Sequence, residues 1–359
     1  MSMQENYDTI VVGGGQAGLA AGYFLAQQGE NFIILDSGLR TGDTWRSRWD
    51  SLHLFTPSQF NGLPGMPFAK PDYYFPTKDE VADYLESYAR QFKLPVRHNV
   101  KVNALQRSEA GYHLIAGSSN FFARNVIVAT GPYHQPYTPG FATELDQEIQ
   151  QLHSSVYCNP QQISGESVLV VGAGNSGAEI SLELARAGKR AWLAGRDVGR
   201  IPADTLGRAF GGKPYWWFIS RVLSVNTPMG RKMSANILYH GGPLIRANRQ
   251  ELIKAGVQFV GRVNGVQAGK PQVDDGHSLP AEVVVWATGF RPNFKWIELK
   301  VFDEYGYPRH RRGIVQEAPG LYFVGLPFQT ALSSALLGGV GVDAAYVVGK
   351  IKRNGSSNE

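Results

Sequence analysis

Six glycines in two equal spacings can do chemistry in this chain. Gly13-x-Gly15-x-x-Gly18 and Gly172-x-Gly174-x-x-Gly177 lie 159 residues apart. Such a spacing gives a tight turn, close approach of a pyrophosphate to bare backbone N–H groups, and close helix–strand packing. The positive end of the following helix then faces the phosphates. In the first loop the N–H groups of Gln16 and Ala17 meet a pyrophosphate. In the second, Asn175 and Ser176 are helix openers that also face a nicotinamide nucleotide. Asp36 stands 18 residues after Gly18 and would accept hydrogen bonds from a ribose 2′-OH while repelling a 2′-phosphate. The matching position after Gly177 is Gly195, followed by Arg196, whose guanidinium suits a 2′-phosphate. The plain alternative for Arg196 is a solvated surface arginine, and Asp197 beside it leaves NADH use open alongside NADPH. FAD, or NAD, in the first site and NADPH in the second would mean hydride transfer from nicotinamide to flavin.

The elements that must position these residues recur as well. An apolar strand through Thr9-Ile-Val-Val12 enters the first loop, a helix over Leu19–Gln28 follows, and a strand over 31–35 ends at Asp36. A strand from Ser167, a helix over Ala178–Ala187 and a strand over 191–194 repeat the plan. Val126-Ile-Val-Ala-Thr130-Gly131 matches Val284-Val-Trp-Ala-Thr-Gly289 at nearly the same offset. One Gly-x-Gly-x-x-Gly alone could be an ordinary glycine-rich α/β turn. Two copies, each with an Ala-Thr-Gly strand end at matched distance, read as two dinucleotide-binding domains on one chain.

Composition narrows the rest. The 359 residues suggest about two domains. A single cysteine, Cys158, excludes a disulfide framework, a Cys-x-x-Cys pair and a thioredoxin-reductase-like relay. Eight scattered histidines without helix-face spacing give no metal site. No apolar run reaches the roughly 18 residues of a membrane span, and the N-terminus runs straight into a strand, so the expectation is a cytoplasmic protein. Residues 201–250 carry seven Lys or Arg, Arg208 among them, against Asp204 alone, around Tyr215-Trp216-Trp217-Phe218. Basic stretches with aromatics can mean nucleic acid or a membrane surface. With no nucleic-acid motif, this one reads as an elaboration of the nicotinamide domain whose aromatics pack down; a dimer contact or a substrate-channel wall are alternatives. Arg309-His-Arg-Arg312 reads as a solvated turn, and the tail 354–358 as frayed.

The sequence resembles the flavin-containing monooxygenases, the class B flavoprotein monooxygenases, over nearly its whole length. It is most similar to small bacterial members, including those labelled as flavoproteins of the potassium-transport type. The double glycine motif carries the resemblance together with Gly42-Asp-Thr44-Trp45, Ser51-Leu-His-Leu-Phe55-Thr-Pro57, Ala129-Thr-Gly-Pro132, Leu152-His-Ser-Ser-Val-Tyr157, Ala287-Thr-Gly-Phe-Arg-Pro292 and Pro319-Gly-Leu-Tyr-Phe-Val-Gly325. The resemblance implies that NADPH reduces FAD, that oxygen forms a C4a-hydroperoxyflavin shielded by NADP⁺, and that a small sulfide, amine or ketone is oxygenated. The cofactor carries that chemistry, so no catalytic side chain is assigned. It also places Thr44 and Trp45 near the flavin, with a core tryptophan as the alternative. Val102 lies on a strand near the adenine or simply in a core strand. Gln329 reaches the flavin edge beyond Gly325, and a helix starting near Leu337 aims its dipole at the flavin. Two departures stand out. Gln147 and Ile149 replace the Phe and Gly of the family's identifying stretch ahead of His153 and Tyr157, and Phe55 stands where many members place an Asn beside the flavin. His153 itself reads as structural.

The fold expected is therefore α/β, two Rossmann-like domains of the glutathione-reductase type. An FAD domain is split between residues 1–155 and 288–359, and an NAD(P) domain is inserted at 156–287, with Pro132 and Pro292 in the linkers. The leading functional expectation is an NAD(P)H- and FAD-dependent monooxygenase, with dioxygen and a small molecule as partners, no metal, and a homodimer as an option. The alternatives are an NAD(P)H oxidase or reductase without productive oxygenation, favoured by Phe55, and a redox-sensing regulatory flavoprotein of an ion transporter.

Overall fold

The computed structural model describes residues 4–201, 209–240 and 242–355. Asp204 and Arg208 of the basic stretch, the first three residues and the tail from 356 lie outside them.

The first sheet has seven strands. β1 (Gln4–Val12), β2 (Phe32–Leu35), β3 (Val96–Arg97), β4 (Ala104–Ser108), β5 (Gly111–Ala116) and β6 (Ser119–Val128) run in the order β3-β2-β1-β6-β5-β4. β1 pairs parallel with both β2 and β6, so Ile10 lies opposite Ile33 on one side and Val126 on the other. β6 is long enough to serve twice. Its first half carries the antiparallel β5, and Val126–Val128 receives the last strand of the chain, β16 (Leu321–Phe323), in parallel. The unbroken apolar runs Ile10–Val12 and Phe32–Leu35 are what a parallel sheet covered on both faces requires; all seven residues are buried.

α1 (Gln16–Gln27) and the C-terminal helix Val340–Gly355 cover one face, with Leu19, Leu25, Val347 and Val348 in a shared core. α1 needs small residues to lie this close to its sheet: a Cβ on Gly22 would stand 2.7 Å from Ile34 Cδ1. The opposite face carries a second core around Leu105, Tyr112, Phe121 and Phe323. α2 (Asp43–Arg46) and α3 (Lys78–Gln91) complete this unit. α3 opens on a capping box in which the Thr77 hydroxyl accepts the Glu80 N–H and the Glu80 carboxylate accepts the Thr77 N–H.

The second sheet is wholly parallel. β8 (Gln150–His153), β9 (Ser167–Val171), β10 (Arg190–Ala194), β11 (Gln258–Val260) and β14 (Val283–Trp286) are ordered β11-β10-β9-β14-β8. α4 (Asn175–Arg186) follows β9 as α1 follows β1. Two small antiparallel pairs finish the structure. One is β12 (Val263–Gln267) with β13 (Lys270–Val273); the other is β7 (Gln135–Pro136) with β15 (Phe290–Arg291), which ties together the two crossings between the sheets. The architecture is α/β with two Rossmann-like units.

Several elements differ from the sequence-based expectation. α1 and α4 open at Gln16 and Asn175, three residues before the expected starts at Leu19 and Ala178. Gly15 and Gly174 are the caps, and the third glycine of each motif is helical because packing outweighs its poor helix propensity. The C-terminal helix starts at Val340, past the glycine pair. Val100–Asn103 is not a strand; the ladder begins at Ala104. The 215–218 aromatics do not all pack down. Trp216 stacks on Phe60 of the first unit, with ring centroids 5.0 Å apart, while Trp217 and Phe218 are exposed. The 309–312 turn is not merely solvated: Arg309 donates to the Phe302 and Lys300 carbonyls at 2.9 and 2.7 Å.

Candidate functional site: two dinucleotide cradles

The two glycine loops have the same geometry. Gly13 and Gly172 take φ of +108° and +112°, which L side chains rarely adopt. A Cβ on either would sit 2.5 or 2.3 Å from the carbonyl oxygen of Ala129 or Ala287, the residue opening each Ala-Thr-Gly turn. A Cβ on Gly18 or Gly177 would fall 1.8 Å from the carbonyl oxygen of Gly13 or Gly172. The middle glycines differ from these. A Cβ on Gly15 or Gly174 meets nothing within 4 Å, so the backbone there is bare toward an open face. The N–H groups of the first helical turn have no partner inside the helix and point that way. Each loop is therefore tight against its own fold on two glycines and open on the third, as a diphosphate cradle must be. Gln16 also acts through its side chain, which donates to the Ala335 carbonyl at 2.9 Å and fastens α1 to the segment before the C-terminal helix.

Beyond the loops the two copies diverge. Asp36 accepts from the N–H of Gly14 and from that of Gly38, the latter at 2.7 Å. Val102 is buried close by, since Val100 N donates to the Asp36 carbonyl at 2.8 Å. In the second copy Gly195 takes φ of +147° and approaches Ala173, whose N would lie 2.9 Å from an added Cβ. Arg196 is exposed and its guanidinium has no partner among the described residues. Asp197 accepts the Gly199 N–H at 2.8 Å and lies 4.0 Å from Arg249. The Asn175 side chain is occupied: it donates to the Pro243 carbonyl at 3.0 Å and accepts the Ile245 N–H at 2.9 Å, which pins that segment beside the second cradle. Ser176 is half-buried in the same turn.

Residues from the two units also meet one another outside the loops. Gly42, at φ of +91°, presses on Ala82 and starts α2, where Thr44 is exposed and Trp45 packs against the cores of both units. Thr130 Oγ1 is 3.0 Å from His134 Nε2, and Gly131 makes the turn after β6 at φ of +75°. Phe55 is half-buried in a loop held by Arg246 of the second unit, which donates to the His53 carbonyl at 3.2 Å. Gly325, at φ of +89°, passes against Ala17, with 2.7 Å between its would-be Cβ and that of Ala17. Gln329 is 2% exposed; its Oε1 accepts the Leu326 N–H at 3.4 Å and its Nε2 has no partner. His153 has both ring nitrogens engaged, by Ser155 Oγ at 2.9 Å and the Gly289 carbonyl at 3.0 Å, and burial holds its pKa below the ordinary histidine value. It joins the two crossings and has no free nitrogen for chemistry.

Sequence reasoning passed over Arg48. Its guanidinium lies 5.6 Å from the Tyr133 ring and 6.0 Å from the Phe290 ring, one ring from each crossing, and burial lowers its pKa. Its place three residues after Trp45 was the only available signal. Among the described residues no helix is long and apolar enough to cross a membrane, and no cluster of His, Cys, Asp or Glu could hold a metal.

Comparisons with known proteins agree with this geometry. The family model described as pyridine nucleotide-disulphide oxidoreductase matches residues 10–204. The chain is 39% identical to the oxidoreductase CzcO-like of Geobacillus kaustophilus, over 97% of this chain and 99% of that one. It is 31% identical to the probable indole-3-pyruvate monooxygenase YUCCA9 of Arabidopsis thaliana, over 84% of this chain and 79% of that one. The structure of the flavin-containing monooxygenase from Stenotrophomonas maltophilia superposes with a TM-score of 0.78 at 26% identity, covering 98% of this chain and 99% of that one. The paired cradles, the crossing points that join them and these relatives together place the chain in the flavin monooxygenase family of oxidoreductases, on the pyridine nucleotide-disulphide oxidoreductase fold.

Proposed function

We propose that the protein is an FAD-dependent, NAD(P)H-driven monooxygenase of the C4a-hydroperoxyflavin type, acting on small sulfides, amines or ketones with dioxygen. The observation that carries this reading is the pair of open glycine cradles of equal geometry with Trp45 packed between their units. The bare faces over Gly15 and Gly174 fit two dinucleotides. FAD goes to the first cradle, where Asp36 is the acid at the strand end, and NADPH to the second, where Gly195 replaces that acid and Arg196 is exposed.

The flavin, once reduced, supplies the oxygen-activating chemistry. The chain binds, orients and excludes water. First-turn N–H groups of α1 and α4 take the diphosphates. The C-terminal helix lays its N-terminal dipole toward the first cradle. This reading sets Trp45, Phe55 and Gln329 against the flavin. Domains follow nearly the same reading, residues 1–155 with 288–359 for FAD and 156–287 for NADPH in a cytoplasmic protein, except that β8 (Gln150–His153) pairs with β14 and so goes with the nicotinamide unit.

Rapid mixing tests the proposal. The FAD-loaded protein is reduced anaerobically with NADPH and mixed with oxygenated buffer while flavin absorbance is followed. A lasting oxygenated-flavin spectrum, discharged faster by a sulfide, amine or ketone, is expected. Direct return to oxidised flavin with peroxide release overturns it in favour of an uncoupled oxidase, the reading that Phe55 at the 51–57 loop would favour.

A further inference from the structure

A cavity of about 600 Å³ lies apart from both glycine loops, between the 303–312 hairpin, the C-terminal helix and the segment 225–234. None of the cradle residues lines it; only Gln329 is shared with the site described above. Its size is that of a small-molecule pocket.

Cationic groups outnumber acids in its wall, where Arg311 and Arg312 stand against Asp303. Arg312 is half-buried and lies 3.7 Å over the Tyr346 ring. Its Nε is buried without an acceptor among the described residues, and the buried Asp343 carboxylate acts on the guanidinium electrostatically without a direct ion pair. Arg311 lies beside it, and Lys350 stands 5.7 Å from the same ring. The Nδ1 of His310 accepts the Gly313 N–H at 3.1 Å, which leaves its other ring nitrogen as a donor. Two carboxylates are near, and both are engaged. Asp303 accepts the N–H groups of Tyr305 and Tyr307 at 3.0 and 2.8 Å, and the buried Asp343 accepts from the Thr330 hydroxyl. The floor is apolar, from Leu326, Pro327 and Phe328.

Backbone strain marks the same place. Arg312 and Phe328 hold φ of +52° and +50°, although neither is glycine. Such residues are strained and concentrate at ligand clamps.

We propose that this cavity binds a small ligand with one carboxylate on an apolar body, the carboxylate paired with the Arg312 guanidinium and the body against Tyr346 and Phe328. A guanidinium already fixed on a ring loses little freedom on pairing and matches a carboxylate bidentately. With the Asp343 carboxylate already acting on Arg312, one further negative charge on an apolar body fits this wall better than a phosphate dianion. This site stands whether or not the flavin oxygenates a substrate, because its test reads binding alone.

The test is calorimetric titration of the FAD-loaded protein with phenylacetate, phenylacetamide and inorganic phosphate. Phenylacetate is expected to saturate one site with Kd of about 1 mM or tighter, and the neutral amide to bind at least tenfold more weakly. Arg312→Gln should weaken phenylacetate at least tenfold with FAD content unchanged, and Arg312→Lys should fall between. Equal binding of acid and amide, tighter binding of phosphate than of phenylacetate, no saturable binding, or wild-type affinity in Arg312→Gln overturns the proposal. The acid–amide contrast uses the unaltered protein, so it decides the matter even if the variants fail to fold.

Discussion

Asp36 closes on Gly14: its carboxylate accepts the Gly14 N–H at the point where the first strand-turn-helix meets the second strand. The equivalent pair in the other unit is Gly195 and Ala173, where a Cβ would stand 2.9 Å from the Ala173 nitrogen and no side chain among the described residues takes that N–H. One fold thus offers an acid at the end of one second strand and bare backbone followed by an exposed arginine at the other. The proposed assignment of FAD to the first cradle and NADPH to the second rests on this exchange.

Asp36→Ala should release FAD. It removes an anion that orients the loop through two backbone N–H groups and would accept a ribose hydroxyl. Hydrogen bonds to charged groups contribute about 1.5–3 kcal/mol each, so FAD affinity should fall about tenfold or more. The flavin-to-protein absorbance ratio after gel filtration measures it, and an unchanged ratio would count against the assignment.

Gly18→Ala and Gly177→Ala should separate the two cradles. Each new methyl would lie 1.8 Å from a backbone oxygen, so the loop must shift. Overpacking of this kind costs about 1–3 kcal/mol. The first variant should lose FAD. The second should keep FAD and show a roughly tenfold or greater rise in KM for the nicotinamide nucleotide. Loss of FAD from both would mean that the second loop does not hold a separate ligand.

Arg196→Ala should lower kcat/KM for NADPH about tenfold to a hundredfold and leave NADH nearly unchanged, since a charge-assisted contact to a 2′-phosphate would be lost. Steady-state reduction with both nucleotides decides it. An equal fall for both would remove Arg196 from the phosphate site.

Glu179, on α4, carries a raised pKa of about 7, caused first by burial, with Glu183 and Glu251 raising it and Arg246 lowering it. Its Oε1 has no partner. The folded protein therefore keeps a proton that the unfolded chain has already released. Stability from this group is full below the unfolded value of about 4.5 and is lost as pH rises through about 7. Glu179→Gln should flatten that dependence and raise Tm at pH 8 relative to the wild type, by an amount corresponding to about 1–3 kcal/mol. Thermal melts between pH 5 and 8, a span chosen to bracket about 7, measure it. Parallel curves for the two proteins would contradict the prediction.

Phe55→Asn should raise the ratio of oxygenated product to peroxide, because an amide would replace a half-buried ring in the loop held by Arg246. Product and peroxide assayed together give the ratio, and no change would show that residue 55 does not face the reacting flavin.

The glycine loops, the acid at Asp36 and its replacement by Gly195-Arg196 were legible in the sequence because they are local. A φ near +110° and a helix packed onto a carbonyl oxygen demand glycine at fixed offsets, and the demand repeats wherever the motif does. The helix starts were read three residues late, since packing holds Gly18 and Gly177 in helices that propensity alone would exclude. The tertiary structure alone decided the long-range contacts. Arg48 lies between Tyr133 and Phe290, Asn175 clamps 243–245, and Trp216 stacks on Phe60, across separations that no sequence period encodes. The Arg312 cavity belongs with these. Arginine in a turn looks solvated from sequence, and only the fold brings a ring beneath it and buries its Nε without an acceptor.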